Sequence, residues 1–249
     1  MIFILFVEIA VCLIILRWLL KKKKGDKYSV GEVLKFIILG ILPAIFIAYV
    51  GPMFNPPSLN KINSFAAGAF RAFVTAGLLE EIPKYVCFRL AILGNKATKT
   101  WLDAIIAAVI VGIGFTMIED VRYGLAGDRN LLRALVPGHL LFQALMGYYY
   151  GKARVTGKKK YDMLSVSVPV LWHAGYDLFI MIMVSMVKAV SPNGGMDVYA
   201  IENSPYFKYV IPLICCFAAV ALITVIAMII FARKISVWSR TGEKQESLG

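Results

Sequence analysis

Apolar runs long enough to cross a bilayer recur along the whole chain, and they constrain everything else about its fold. They fall at 2–20, 33–51, 77–94, 102–121, 132–150, 164–187 and 209–232, each close to the roughly 18–25 residues that a spanning helix needs. Inside hydrocarbon every backbone N–H and C=O must find its partner within the segment, which selects helices. The chain is 59% hydrophobic and 17% charged with a mean hydropathy of +0.74, more apolar than a soluble core can use. The expectation is an all-α, polytopic membrane bundle of about seven helices in the lipid bilayer. It forms a single transmembrane domain over 1–235, with the unusual residues concentrated at 63–187, followed by a polar cytoplasmic tail at 236–249.

A formal charge of +12 raises the question of nucleic acid. The basic residues, however, collect in short loops between apolar runs rather than on an aromatic-studded soluble surface, so they read as a topology signal and no nucleic-acid partner is expected. Lys21–Lys24 and Lys27, then Arg89, Lys96 and Lys99, then Lys152, Arg154 and Lys158–Lys160, then Arg233, Lys234, Arg240 and Lys244 all fall on one side. The opposite loops carry Lys61, Arg122, Arg129, Arg133, Lys188 and Lys208. The positive-inside rule then puts the N-terminus outside and the C-terminus in the cytoplasm. The first run carries its basic block after the apolar stretch, the reverse of a cleaved secretory signal, and reads as a retained span. Cys12, Cys87, Cys215 and Cys216 lie in apolar runs without CxxC spacing, which indicates packing rather than a disulfide or thiolate metal framework.

The stretch from Asn63 to Gly94 is too long for one perpendicular span, and Arg71 interrupts it. It is either one long tilted helix or an outer interfacial helix over about 62–76 followed by a span from Gly77.

Ionisable side chains inside spans cost roughly 2.5–3.5 kcal/mol each at the centre and mark functional sites by default. Here they are Glu80, Glu81 and Lys84 in "LEEIPKYV", Glu119 in "GFTMIED", His139 in "PGHLLFQ", and His173 with Asp177 in "LWHAGYDLF". Glu80 and Lys84 share a helix face at i,i+4, as do His173 and Asp177, while Glu81 points about 100° from Glu80. The glutamates therefore cannot have equivalent surroundings. Pro83 removes a backbone donor beside them and favours a kink. Following the alternating direction of successive spans, all of these groups fall between the outer surface and mid-membrane, where one outward-opening cavity could hold them.

Such a cavity suits hydrolysis. A carboxylate desolvated beside a neutral histidine can accept a proton from water, and a second histidine can donate to an oxyanion. Taken singly, Glu80–Lys84 and His173–Asp177 read equally well as polar glue between helices. The other functional class is an ion- or proton-coupled transporter relaying protons through Glu, His and Asp, although the polar residues do not recur in two related halves.

With those residues in view, "EEIPK" resembles an EExxK motif, "FTMIE" (Phe115–Glu119) an FxxxE motif, His139 a lone histidine, and "HAGYD" (His173–Asp177) an HxxxD motif. Their order resembles that of the PrsW family of intramembrane proteases, within the wider CAAX-protease and bacteriocin-processing superfamily, over roughly residues 63–180. Compared with the CAAX pattern, Lys84 replaces an arginine, Glu119 a histidine and Asp177 an asparagine. The presenilin-type GxGD partner and a rhomboid-type serine site are absent from the sequence. The resemblance implies an endopeptidase that makes the first, extracytoplasmic cut in a membrane-anchored, single-pass anti-sigma factor. It implies Glu80 as general base, Glu81 and Lys84 as its organisers, Glu119 and His139 holding water, and His173 with Asp177 orienting the carbonyl and stabilising the oxyanion. Phe115 is expected to pack. A metal is an open fork: no HExxH is present, yet Glu119, His139, His173 and Asp177 are acceptable zinc ligands and the two extra carboxylates favour a cation.

Overall fold

The computed structural model describes residues 2–125, 138–191, 198–242 and 247–248. Among them the chain is helical, with a single strand-like backbone pairing between Thr100 and Ser247. The helices are α1 (Ile2–Lys22), α2 (Val30–Val50), α3 (Ser64–Phe70), α4 (Leu79–Ile92), α5 (Trp101–Leu125), α6 (Gly138–Thr156), α7 (Lys159–Val190), the short α8 (Val198–Glu202) and α9 (Phe207–Thr241). Two 3₁₀ turns, Gly51–Phe54 and Pro57–Lys61, follow α2.

Among the described residues, four helical segments are long and apolar enough to cross a membrane: Val30–Phe54, Trp101–Leu125, Lys159–Val190 and Phe207–Thr241. The 2–20 run is helical as α1, and the 132–150 run is helical from Gly138, residues 132–137 lying outside the described set. The last helix continues through Thr241. Gly242 then ends it in the left-handed conformation, φ 80°, donating its N–H to Trp238 O at 3.1 Å.

Local chemistry sets several of the helix starts. Ser29 and Glu32 form a reciprocal capping box on α2. Asn63 caps α3 by accepting from Phe65 N at 2.9 Å and Ala66 N at 3.3 Å. Thr100 and Asp103 bond reciprocally at the head of α5, at 3.2 and 3.0 Å. The second Asp103 oxygen accepts from Lys23 Nζ at 2.6 Å, fastening the end of α1 to α5 through a fully enclosed ion pair.

No separate interfacial helix over 62–76 forms. The backbone stays helical from Ser64 to Ile92 because α3 passes into a π-helical stretch, Arg71–Leu78, and then into α4 without leaving right-handed geometry. The wider turn shows in Leu79 N–H, which donates to Val74 O five residues back. Arg71 fixes this stretch: its Nε donates to Asn55 Oδ1 at 2.9 Å and its Nη1 donates to Ser185 Oγ on α7. Pro83 sits inside α4, one turn after the widened segment.

Helix α5 runs through the centre. It is apolar around its whole circumference and buried from Trp101 to Thr116, the pattern of a helix surrounded by others. Small residues let α2 approach it closely. A Cβ at Gly40 would lie 1.9 Å from Val111 O, and one at Gly114 would lie 2.1 Å from Ile37 O. The outer faces of α2, α7 and α9 stay apolar and exposed, as lipid-facing surfaces do.

Candidate active site

The π-helical stretch delivers α4 so that Glu80, Glu81 and Lys84 all point into the bundle, at 6%, 0% and 0% exposure. Three other helices face them: α5 with Phe115 and Glu119, α6 with His139 and Gln143, and α7 with His173 and Asp177. All seven residues expected at the site from the sequence meet in one cluster.

Its centre is Lys84. The ammonium donates to Glu81 Oε1 at 2.8 Å and Glu80 Oε2 at 3.3 Å, and lies 3.2 Å from His139 Nδ1. It also sits 3.5 Å above the Phe115 ring centroid, a cation–π contact that adds to Phe115's packing role. Since an ammonium only donates, His139 Nδ1 is the accepting nitrogen, which leaves the proton on Nε2. That nitrogen faces Glu119 Oε2 at 2.6 Å. Arg122 Nη2 approaches the other Glu119 oxygen at 3.9 Å.

The two adjacent glutamates differ as their helical angles require. Glu81 is held from three sides: by Lys84, by His173 Nδ1 at 2.9 Å and by Gln143 Nε2, which donates to Oε2 at 3.0 Å. Glu80 is less tied, with Lys84 at 3.3 Å and His173 Nε2 at 3.9 Å. His173 Nε2 lies 3.4 Å from Asp177 Oδ2. His173 thus bonds across helices to Glu81 more closely than along its own helix to Asp177. The His173 ring stacks on Phe142, centroids 4.9 Å apart, and meets His139 edge to face at 4.9 Å.

Most of the cluster is buried. Glu119 is 5% exposed, His139 12% and Asp177 19% at the side chain, so the last two form its more accessible edge. Gln143 is the member that sequence reasoning missed. It is fully buried and follows His139 by one helical turn, so a polar residue on the histidine face of an apolar helix was the available signal. Its Oε1 has no hydrogen-bond partner.

Metal ligation can be tested against these atoms. Glu80, Glu81, His139 and His173 each offer a ligand atom within 4.8 Å of the others, and two imidazoles with carboxylates are a donor set suited to a zinc-like ion. Glu80 has the loosest contacts of the four, with Lys84 at 3.3 Å and His173 Nε2 at 3.9 Å, whereas Glu81 and His139 would bind only by yielding their contacts with Lys84, and His173 Nε2 by yielding Asp177. Glu119 and Asp177, also expected as zinc ligands, fall outside this group and act instead as partners of the two histidines. The residues present therefore fit a divalent ion.

A helical bundle with membrane-length apolar segments thus encloses carboxylates, imidazoles and an ammonium, the side chains that general acid–base chemistry uses. Residues 29–220 match the PrsW family intramembrane metalloproteases. Protease PrsW of Clostridioides difficile (strain 630) is 28% identical over 177 residues, covering 66% of this chain and 74% of that protein. Protease PrsW of Bacillus subtilis (strain 168) is 31% identical over 169 residues, covering 64% and 74%. Protease PrsW of Oceanobacillus iheyensis is 31% identical over 190 residues, covering 72% and 84%. No solved structure matches the chain. The chain belongs to the PrsW family: it is a peptidase and a multi-pass protein of the bacterial cell membrane, with a membrane-embedded protein as its substrate.

Proposed function

We propose that this protease makes the first, extracytoplasmic cut in a single-pass, membrane-anchored anti-sigma factor and thereby activates an extracytoplasmic-function sigma factor. The observation that carries the proposal is the asymmetry of the glutamate pair. Glu81 is locked by three partners, while Glu80 is held only by Lys84 at 3.3 Å and lies 3.9 Å from His173 Nε2.

In this reading Glu80 takes a proton from water as the water oxygen attacks the scissile carbonyl, then passes that proton to the leaving amine. Lys84 and Glu81 fix Glu80 and His173 in place. In its imidazolium form His173 donates Nδ1–H to Glu81 and Nε2–H to the carbonyl oxygen as it becomes an oxyanion, with Asp177 beside Nε2 at 3.4 Å. Glu119 orients His139 through their 2.6 Å contact, and together they hold the water. Glu80, His139 and His173 would hold a zinc-like ion, which when bound supplies Lewis acidity and an activated water.

In this reading the chain spans the membrane seven times with the N-terminus outside and the C-terminus in the cytoplasm, an orientation that the basic residues at the ends of α1, α6 and α9 support. That orientation places Glu119 and His139 towards the outer face, where the first cut is made.

The test is co-expression with a single-pass anti-sigma substrate, comparing wild type with Glu80→Ala, Glu119→Ala and His173→Ala. Cleavage should be abolished in all three, and undiminished cleavage in all three overturns the assignment. Metal analysis and chelator sensitivity of the purified enzyme separate an ion-assisted from a glutamate-only reaction.

A further inference from the structure

A second site lies away from the carboxylate cluster, between the first and last long helices. Helices α1 and α9 meet at their basic ends, where Ser239 Oγ donates to Lys22 O at 2.7 Å. Above that contact they part, leaving a crevice of about 280 Å³ floored by Val109 of α5 and by Leu140 and Ala144 of α6, with Ile15 and Met228 among its walls. Every residue lining it is apolar apart from the indole N–H of Trp18. An apolar space of that size excludes water and accepts a hydrocarbon chain.

Trp18 and Ala232 also line a second, shallower crevice, so the two adjoin at these residues, and the second carries Arg233, Ser236 and Arg240. Both arginines are exposed. Lys22 lies on the same side, its Nζ 5.7 Å from the Trp18 ring centroid. No carboxylate lines either crevice. The stretch of α9 from Met228 to Arg240 is about 18 Å long at 1.5 Å per residue, so an apolar slot gives way to a cationic rim within half a bilayer.

We propose that this groove is a binding site for one anionic phospholipid, with an acyl chain between α1 and α9 and the phosphate against Arg233, Arg240 and Lys22. Charge complementarity selects the occupant. A zwitterionic lipid fills the slot but leaves the arginines without a net counter-charge, whereas each arginine near an anionic headgroup adds to affinity. The indole of Trp18 sits at the junction of chain and headgroup, as interfacial tryptophans do. The site is independent of the catalytic reading.

The experiment is native mass spectrometry of the full-length protein released from nanodiscs of phosphatidylglycerol or phosphatidylcholine. Wild type should retain one phosphatidylglycerol and no phosphatidylcholine. Arg233→Gln/Arg240→Gln should lower that retention roughly tenfold or more, and Ala232→Phe should abolish it by filling the slot. Soluble glycerol phosphate should not compete, because it lacks the chain. Equal retention of both lipids, retention unchanged in the arginine variant, or displacement by glycerol phosphate overturns the proposal. So does a photoreactive residue at Ile229 that captures co-expressed protein substrate instead of lipid. A variant that fails to fold is recognised by its elution profile, and the two-lipid comparison on wild type then decides.

Discussion

His173 Nδ1 and Glu81 Oε1 lie 2.9 Å apart with Glu81 wholly enclosed, so the carboxylate next to the proposed base is a structural anion for two helices. It also neutralises Lys84 at 2.8 Å. Removing its charge leaves a buried ammonium short of its nearest partner, and breaking a buried pair typically costs about 3–5 kcal/mol. Glu81→Gln is therefore expected to lower the thermal midpoint in detergent as well as abolish cleavage. Glu80→Gln should behave differently, with cleavage falling by about 10²–10⁴, the range of a lost general base, and a midpoint near wild type. The two variants melting alike would contradict the separate roles.

Much of this site was legible because lipid makes polar residues conspicuous. Glu80, Glu81, Lys84, Glu119, His139, His173 and Asp177 each stood out against an apolar run, and the unequal surroundings expected of Glu80 and Glu81 appear as different partners. What spacing does not reveal is contact between helices. His173 shares a face with Asp177, yet its shorter bond crosses to Glu81, a pairing set by how α4 and α7 pack. Lys23 read as one more topology lysine, although it is 1% exposed and bonds Asp103 and Ala97 O, both at 2.6 Å. The π-helical stretch was not read either: Val74, Thr75 and Gly77 are weak helix formers, but weak propensity does not distinguish a π-turn from a break, and Arg71's bonds to Asn55 and Ser185 are contacts between elements.

Gln143 supplies a prediction of its own. It donates to the Glu81 oxygen that Lys84 does not touch, so it sets the carboxylate's plane rather than its charge. Gln143→Leu loses that bond but also removes the unpartnered Oε1. The two effects oppose each other, and the net change in stability should stay within about 1 kcal/mol. Cleavage should nevertheless fall, through kcat rather than KM, because Glu81 no longer holds His173 at a fixed angle. Gln143→Glu places a second carboxylate against Glu81 and should be worse than leucine in both cleavage and melting.

The Lys23–Asp103 pair makes a test remote from the chemistry. Both side chains are nearly inaccessible, and Asp103 also caps the head of α5 through Thr100 N at 3.0 Å and Lys99 N at 3.1 Å. Lys23→Met should destabilise by about 3–5 kcal/mol because it strands a buried carboxylate. Lys23→Met combined with Asp103→Asn, which keeps the capping acceptor, should recover part of that loss. Thermal melting of the single and double variants checks it, and additive losses would show that the two residues do not act as a pair.

The contact between α2 and α5 links packing to the site most directly. A methyl group at Gly114 would lie 2.1 Å from Ile37 O, and the obstructing atom is backbone, which cannot rotate aside. Gly114→Ala must push the helices apart, at a cost of about 1–3 kcal/mol for overpacking. The displacement would be felt at once by Phe115, whose ring lies under Lys84, and one turn later by Glu119, which holds His139. Cleavage should therefore fall by more than the loss of folded protein explains. Gly31→Ala is the matched control, because a Cβ there meets nothing closer than Ser29 Oγ at 4.0 Å. Activity is measured per folded molecule after size-exclusion chromatography. Gly114→Ala retaining wild-type specific activity would show that the cluster tolerates movement of α5.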